Sequence, residues 1–239
     1  AAINAKGVTI HSFFQMPFGP ILPNQLYAGP NHEKTKSTGV QKFNKKKIDI
    51  IRSLDLLIID EVSMVRADLL DGIDQILRRF KNGSEVFGGV QVLMIGDLQQ
   101  LAPVVKNEEW SLLKDYYDNA FFFSSRAFQD SNSVSLELKH IYRQENQDFI
   151  HILNQIRNNN IDEKSLKILN QQYQPNFVAK NEDGYITLTT HNKRAKQMND
   201  AELKHLSKSS RFFDAEVEGD FPEHVYPNDE ELELKVVIA

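Results

Sequence analysis

No cysteine occurs among the 239 residues, which excludes disulfide cross-links and thiolate metal sites. No run of about 18 apolar residues is present, and the N-terminus has no charged stretch followed by an apolar one, so neither a membrane span nor a signal peptide is expected. An excess of basic charge is missing too: 28 Lys+Arg stand against 33 Asp+Glu, a formal net charge of −5. A uniformly basic nucleic-acid binder is thereby excluded, and any contact with a polyanion has to follow a local track. None of the 11 glycines begins a G-x-x-x-x-G-K-[ST] loop, in which backbone N–H groups and a lysine hold a triphosphate. What remains is a chain long enough for one large or two smaller domains of about 100–200 residues, with a cytoplasmic location as the default expectation.

The most informative stretch is Leu54-Asp55-Leu56-Leu57-Ile58-Ile59-Asp60-Glu61-Val62-Ser63-Met64. Four aliphatic residues in a row leave no polar face, so this run is expected to be a strand covered on both sides in a parallel sheet. Its carboxyl end carries two adjacent acids. Open α/β sheets bind ligands at that edge, and the pair suits a Mg²⁺ held by one carboxylate and substrate phosphates while the second acid orients a water. This is the Walker B arrangement. A second buried strand, Val90 to Ile95, ends in Gly96-Asp97-Leu98-Gln99-Gln100. Between the strands, Leu69, Leu70, Ile73, Ile76, Leu77 and Phe80 form the apolar stripe of a helix over 66–81. One βαβ unit would bring Asp60, Glu61, Asp97 and Gln100 to a single sheet edge.

These residues resemble a known family. Asp60-Glu61-x-Ser63-Met64 as motif II, Leu69-Leu70-Asp71, Phe87-Gly88-Gly89-Val90-Gln91, and Gly96-Asp97-x-x-Gln100-Leu101-x-Pro103-Val104 as motif III are similar to the Pif-type (petite integration frequency) helicases, a RecD-like branch of superfamily one. Further matches extend to about Asn199, and Ala102 stands where the family usually has a proline. The resemblance implies an α/β fold: a RecA-like parallel sheet with flanking helices, the beginning of a second RecA-like domain and the start of a small β insertion. The expected divisions are 1–135, 136–206 and 207–239. It further implies an ATP-dependent DNA helicase that translocates 5′-to-3′ on single-stranded DNA, engages duplex junctions and serves DNA repair or genome maintenance. ATP and Mg²⁺ are the implied cofactors, and a cytoplasmic, nucleoid-associated location the implied place. Asp60, with Mg²⁺, and Gln100 and Arg143 would contact nucleotide, and Asp60, Glu61, Gln100 and Arg143 would carry the chemistry. Arg143, within Tyr142-Arg143-Gln144, matches the motif IV arginine that reaches the γ-phosphate. The missing phosphate loop and the absent motifs V and VI imply an internal segment of a longer protein.

Taken in order, Gly7 to Phe14 reads as strand-like and resembles motif Ia, where Thr9, His11, Ser12 and Phe13 would face single-stranded DNA. Residues 16–47 read as a surface excursion ending in Lys45-Lys46-Lys47, a solvated patch or a phosphate path. A short helix is expected over 110–117, a strand over 120–123, and helices after Gln144 and over 162–173. Ile186 to Thr190 reads as a strand ending in a helix cap at Asn192, with Ala195, Met198 and Leu206 behind it; the resemblance places Thr190, His191 and Asn192 on DNA. Two other classes compete with the helicase: a motor-dead scaffold or protein-interaction module with the same fold, and a metal nuclease using Asp60, Glu61 and Asp97. Gln100, standing where a nuclease would need a further clustered acid, argues against the latter.

Overall fold

The computed structural model describes residues 7–23, 43–177 and 184–205. By internal contacts the chain divides into two compact units, 1–170 and 171–239.

The first element is a helix where a strand was expected: α1, Ile10–Phe14. The Thr9 hydroxyl accepts the Ser12 N–H at 3.2 Å and closes the first turn. Ile10, Phe13 and Phe14 then share one side, with Phe14 buried and the other two packed on the same core. That spacing outweighs the β-branched run Val8-Thr9-Ile10. The basic run is likewise helical. It opens α2, Lys45–Arg52, whose cap Asn44 accepts the Lys47 N–H at 2.8 Å. Residues 24–42 of the expected excursion lie outside the described residues.

The centre of the first unit is the expected βαβ run: β1 (Leu56–Ile59), α3 (Ala67–Phe80) and β2 (Gln91–Met94). The strands pair in parallel, Leu56 with Gln91 through Ile59 with Met94. α3 buries Leu70, Ile73, Ile76 and Leu77 completely. Each such side chain contributes about 1.5–3 kcal/mol relative to exposure, so this stripe anchors the sheet. The expectation that both sheet faces are covered is not met among the described residues. Ile59 faces the core, whereas Leu56, Ile58 and Leu93 keep 45%, 55% and 46% of their surface exposed. Leu57, Ile59, Val92 and Met94 pack on the core, and alternation along a strand puts Leu56, Ile58 and Leu93 on the other face.

α3 also carries three buried aspartates, each accepting hydrogen bonds from a different segment. Asp68 accepts from Arg66 and from the Ile21 N–H at 2.8 Å. Asp71 accepts from the Tyr117 hydroxyl at 2.9 Å and the Ala127 N–H at 2.9 Å. Asp74 accepts from Arg78 and from the Phe87 N–H at 2.5 Å. Burial pushes the Asp71 and Asp74 carboxyls above the ordinary range, against the pull of the donors they hold.

Later elements refine the expected boundaries. α4 spans Asn107–Leu113, beginning before Trp110; its first turn is closed by the Glu109 carboxylate accepting the Lys106 N–H at 3.1 Å. The expected strand over 120–123 is instead a single bridge from Phe121 to Arg66 followed by a 3-10 turn, Phe122–Ser124. The Ser124 N–H finds the Phe121 carbonyl at 2.9 Å, and Ser125, fully buried, caps α5 (Arg126–Asp130) through the Phe128 N–H at 3.1 Å. Helix α6 is Gln147–Arg157, capped by Asn146, and α7 is Glu163–Gln171, capped by Asp162.

In the second unit α8 spans Asn192–Lys204. Residues 186–190 form no strand, and Ile186 and Leu188 are exposed; among the described residues they have no strand to pair with. The cap position falls on His191, one residue before the Asn192 expected, and no side chain closes it. Leu206 and the expected β insertion, 207–239, lie outside the described residues.

Candidate nucleotide and nucleic-acid site

The parallel register brings the turns after β1 and β2 to one edge, where the backbone joins them. The Ile95 N–H donates to the Ile59 carbonyl and the Val62 N–H to the Ile95 carbonyl, both at 2.9 Å. Gly96 makes that approach possible: a Cβ there would lie 2.9 Å from the Val62 nitrogen and 2.9 Å from its Cγ1. Two turns with different tasks are thus fixed against each other.

On the β1 side, Asp60 is half-buried and its Oδ1 accepts the Glu61 N–H at 3.0 Å. Glu61 has a left-handed backbone, φ 52° and ψ 43°, and opens the 3-10 turn Val62–Met64. A non-glycine residue pays for that conformation, and Glu61 is exposed. Ser63 is buried, and its Oγ has no hydrogen-bond partner among the described residues.

On the β2 side, Asp97 organises the turn. Its Oδ1 accepts the Gln99 N–H at 3.0 Å, its Oδ2 accepts the Gln100 side-chain amide at 3.2 Å, and its carbonyl accepts the Gln100 N–H at 3.1 Å. From the C-terminal end of α6, Arg157 donates to Asp97 Oδ1 at 3.1 Å and to the Gln99 side-chain oxygen. The Gln99 N–H bond, ahead of Gln100 and Arg157, holds the Asp97 carboxyl below the usual range.

Asp60, Glu61 and Gln100 therefore stand on turns bonded to each other, while Arg143 is exposed and makes no hydrogen bond or ion pair with a described residue, Glu145 and Asp148 included. No three His, Asp or Glu side chains converge on a common point among the described residues. The donor set fits a cation that takes one carboxylate and draws its other ligands from water and phosphate, the habit of Mg²⁺. It does not offer the clustered acids of a metal nuclease.

Of the motif Ia residues, Thr9 spends its hydroxyl oxygen as the α1 cap and Ser12 is exposed. His11 stacks on Phe18 with ring centroids 5.1 Å apart. Burial pushes its pKa below the usual imidazole value, the Arg66 charge adding to this and Asp68 opposing. Phe13 and Phe14 meet edge to face at 4.8 Å, and the Lys47 ammonium lies 4.3 Å from the Phe13 ring centre, so one face of that ring is already engaged. In the second unit, Thr190 Oγ1 lies 2.8 Å from His191 Nδ1, and Asn192 is exposed in the first turn of α8.

The model of the PIF1-like helicases matches residues 1–167. This chain belongs to that family. It is 32% identical over 218 residues to the ATP-dependent DNA helicase Pif1 of Campylobacter jejuni, covering 91% of this chain and 45% of that protein. With the PIF1 helicase of Saccharomyces cerevisiae it shares 31% identity over 166 residues, 69% of this chain and 17% of the relative. Among solved structures, the Bacteroides Pif1 helicase in complex with ADP-AlF3 and single-stranded DNA superposes with a TM-score of 0.80 at 39% identity, over 98% of this chain and 52% of that one. The RecA-like architecture is thereby shown. The chain spans about half or less of the length of these relatives.

Sequence reasoning placed both turns at one edge but missed Arg157, Gln99 and the bonding role of Asp97. Only one signal was available: Arg157 is the basic residue in the last turn of an amphipathic helix, which fixes its place on α6 without naming its target.

Proposed function

We propose that this chain is part of an ATP-dependent DNA helicase that couples hydrolysis to 5′-to-3′ movement along single-stranded DNA and to opening of duplex junctions in DNA repair or genome maintenance. The observation that carries the reading is the backbone-bonded pair of turns bearing Asp60-Glu61 and Gln100 at one sheet edge, in a chain of this family. Asp60 would hold Mg²⁺, which when bound neutralises charge on the phosphates. Glu61 accepts the proton of an attacking water that it orients, from a carboxylate left free in solvent. Gln100 would orient the attacking water and sense whether a γ-phosphate is present. Arg143, unpaired with any described residue, supplies positive charge as the phosphate departs.

In this reading residues 1–135 contribute to the first motor domain, 136–206 begin the second, and 207–239 begin a β insertion. Thr9, His11 and Ser12 on one domain and Thr190, His191 and Asn192 on the other bind DNA through phosphates, without a net basic field, and Phe13, packed against Phe14 beneath the Lys47 ammonium, supports the segment that carries the first three. The protein works in the cytoplasm at the nucleoid. No described helix is long and apolar enough to cross a membrane.

The test is phosphate release by the full-length protein with and without oligothymidine. DNA-stimulated turnover that Glu61→Gln abolishes while DNA affinity stays within about twofold is expected. Full activity in that variant would remove Glu61 from the mechanism. A His11→Ala, His191→Ala double variant should bind oligothymidine more weakly at low salt, and unchanged fluorescence anisotropy would move the DNA face elsewhere.

A further inference from the structure

Arg157 is the one basic side chain that the described residues place on the motif III turn. Its guanidinium makes two contacts there, one to Asp97 and one to Gln99, from two different nitrogens. Asp97 in turn uses its second oxygen to hold the Gln100 side-chain amide at 3.2 Å. A single carboxylate therefore has α6 on one oxygen and Gln100 on the other. Arg157 sits at the last position of α6, where its positive charge also complements the helix C-terminus.

We infer that Arg157 is a positioning residue: it links α6 to the Gly96–Gln100 turn and sets the orientation of Gln100. This rests on the proposed role of Gln100 at the γ-phosphate. The pair is partly exposed, with 49% and 23% of the side-chain surfaces of Arg157 and Asp97 open, so it adds little to overall stability. Its effect is geometric. A forked guanidinium spanning two acceptors fixes direction, whereas an ammonium is a point charge that satisfies one at a time. When α6 shifts, the turn carrying Gln100 is pulled with it, and movement elsewhere in the protein reaches the nucleotide by this route.

Two measurements decide the matter. In the 239-residue chain, hydrogen exchange at the Gln99 and Gln100 amides should quicken by about two- to fivefold in Arg157→Ala, the range an exposed ion pair supplies, with Tm essentially unchanged. In the full-length protein, Arg157→Ala should lower kcat for DNA-stimulated ATP hydrolysis by on the order of 10²-fold while KM and DNA affinity hold, as displacement of a positioned group does. Arg157→Lys should recover only part of the loss, and Arg157→Gln less. Unchanged exchange at 99–100, or an unchanged kcat, overturns the inference. A wild-type protein that hydrolyses no ATP would sink the proposed function instead, and the exchange measurement would still decide whether Arg157 holds the turn.

Discussion

At the scale of single residues, the site depends on atoms that are absent as much as on those present. Gly96→Ala would drive a Cβ against Val62 backbone and side chain at 2.9 Å, and backbone cannot swing aside as a long side chain can. The expected cost is about 1–3 kcal/mol in urea unfolding, typical of overpacking, and loss of the Val62–Ile95 hydrogen bond should appear as faster exchange at Val62. A variant as stable as wild type would show that the turns do not need to meet there. Arg143 makes no bond that its removal would break among the described residues, so Arg143→Ala should leave Tm unchanged. In the full-length protein it should cut ATP turnover by roughly 10³-fold or more, as loss of an arginine finger does. Equal turnover in the variant removes it from the cleft. That the Asp60-Glu61 and Asp97–Gln100 turns meet at one sheet edge was legible from sequence, because each turn closes an apolar run of a βαβ unit. The hold of Arg157 on Asp97 was not, because it joins positions 60 residues apart and leaves no periodic trace.

At the scale of elements, α3 was the most readable part of the chain, since an apolar stripe at helical spacing admits few other structures. Its aspartates were not readable as ties. Acids on a helix ordinarily face solvent, and only the tertiary fold brings Ile21, Tyr117, Ala127 and Phe87 to them. Ile73→Ala, at a fully buried position, should destabilise by about 2–5 kcal/mol, read from the denaturation midpoint. Ser125→Ala removes the α5 cap from a buried site and should cost about 0.5–2 kcal/mol. The segments misread as strands, at 7–14, 120–123 and 186–190, share a cause: β-branched and aromatic residues favour a strand only where a neighbouring strand is available. Where none lies among the described residues, short-range capping by Thr9 and Ser125 decided in favour of turns and helices.

At the scale of the whole molecule, stability should respond to acid through particular carboxylates. Asp162 accepts the Ser165 N–H and then the Gln155 amide, and these bonds hold its pKa at about 2 against an ordinary 3.8. A carboxyl whose folded pKa is depressed stabilises above the unfolded value and loses that contribution as pH falls through the folded one. Between about pH 4 and pH 2 the α6–α7 connection should therefore loosen, and Asp162→Asn should flatten that part of the pH profile. An identical acid profile in the variant would assign the loss to other groups, Asp97 among them. The exposed aliphatics Leu56, Ile58 and Leu93, on a sheet of two strands among the described residues, should make the isolated chain self-associate with rising concentration, an effect light scattering would see and Leu93→Glu would reduce.

The left-handed backbone of Glu61 sets heat resistance and turnover against each other. Glycine adopts φ 52° without penalty, so Glu61→Gly should relieve on the order of 1 kcal/mol of local strain while deleting the carboxylate proposed to orient water. Libraries screened for survival at high temperature should therefore enrich glycine or asparagine at position 61, and the same clones should be lost when the screen demands work on DNA.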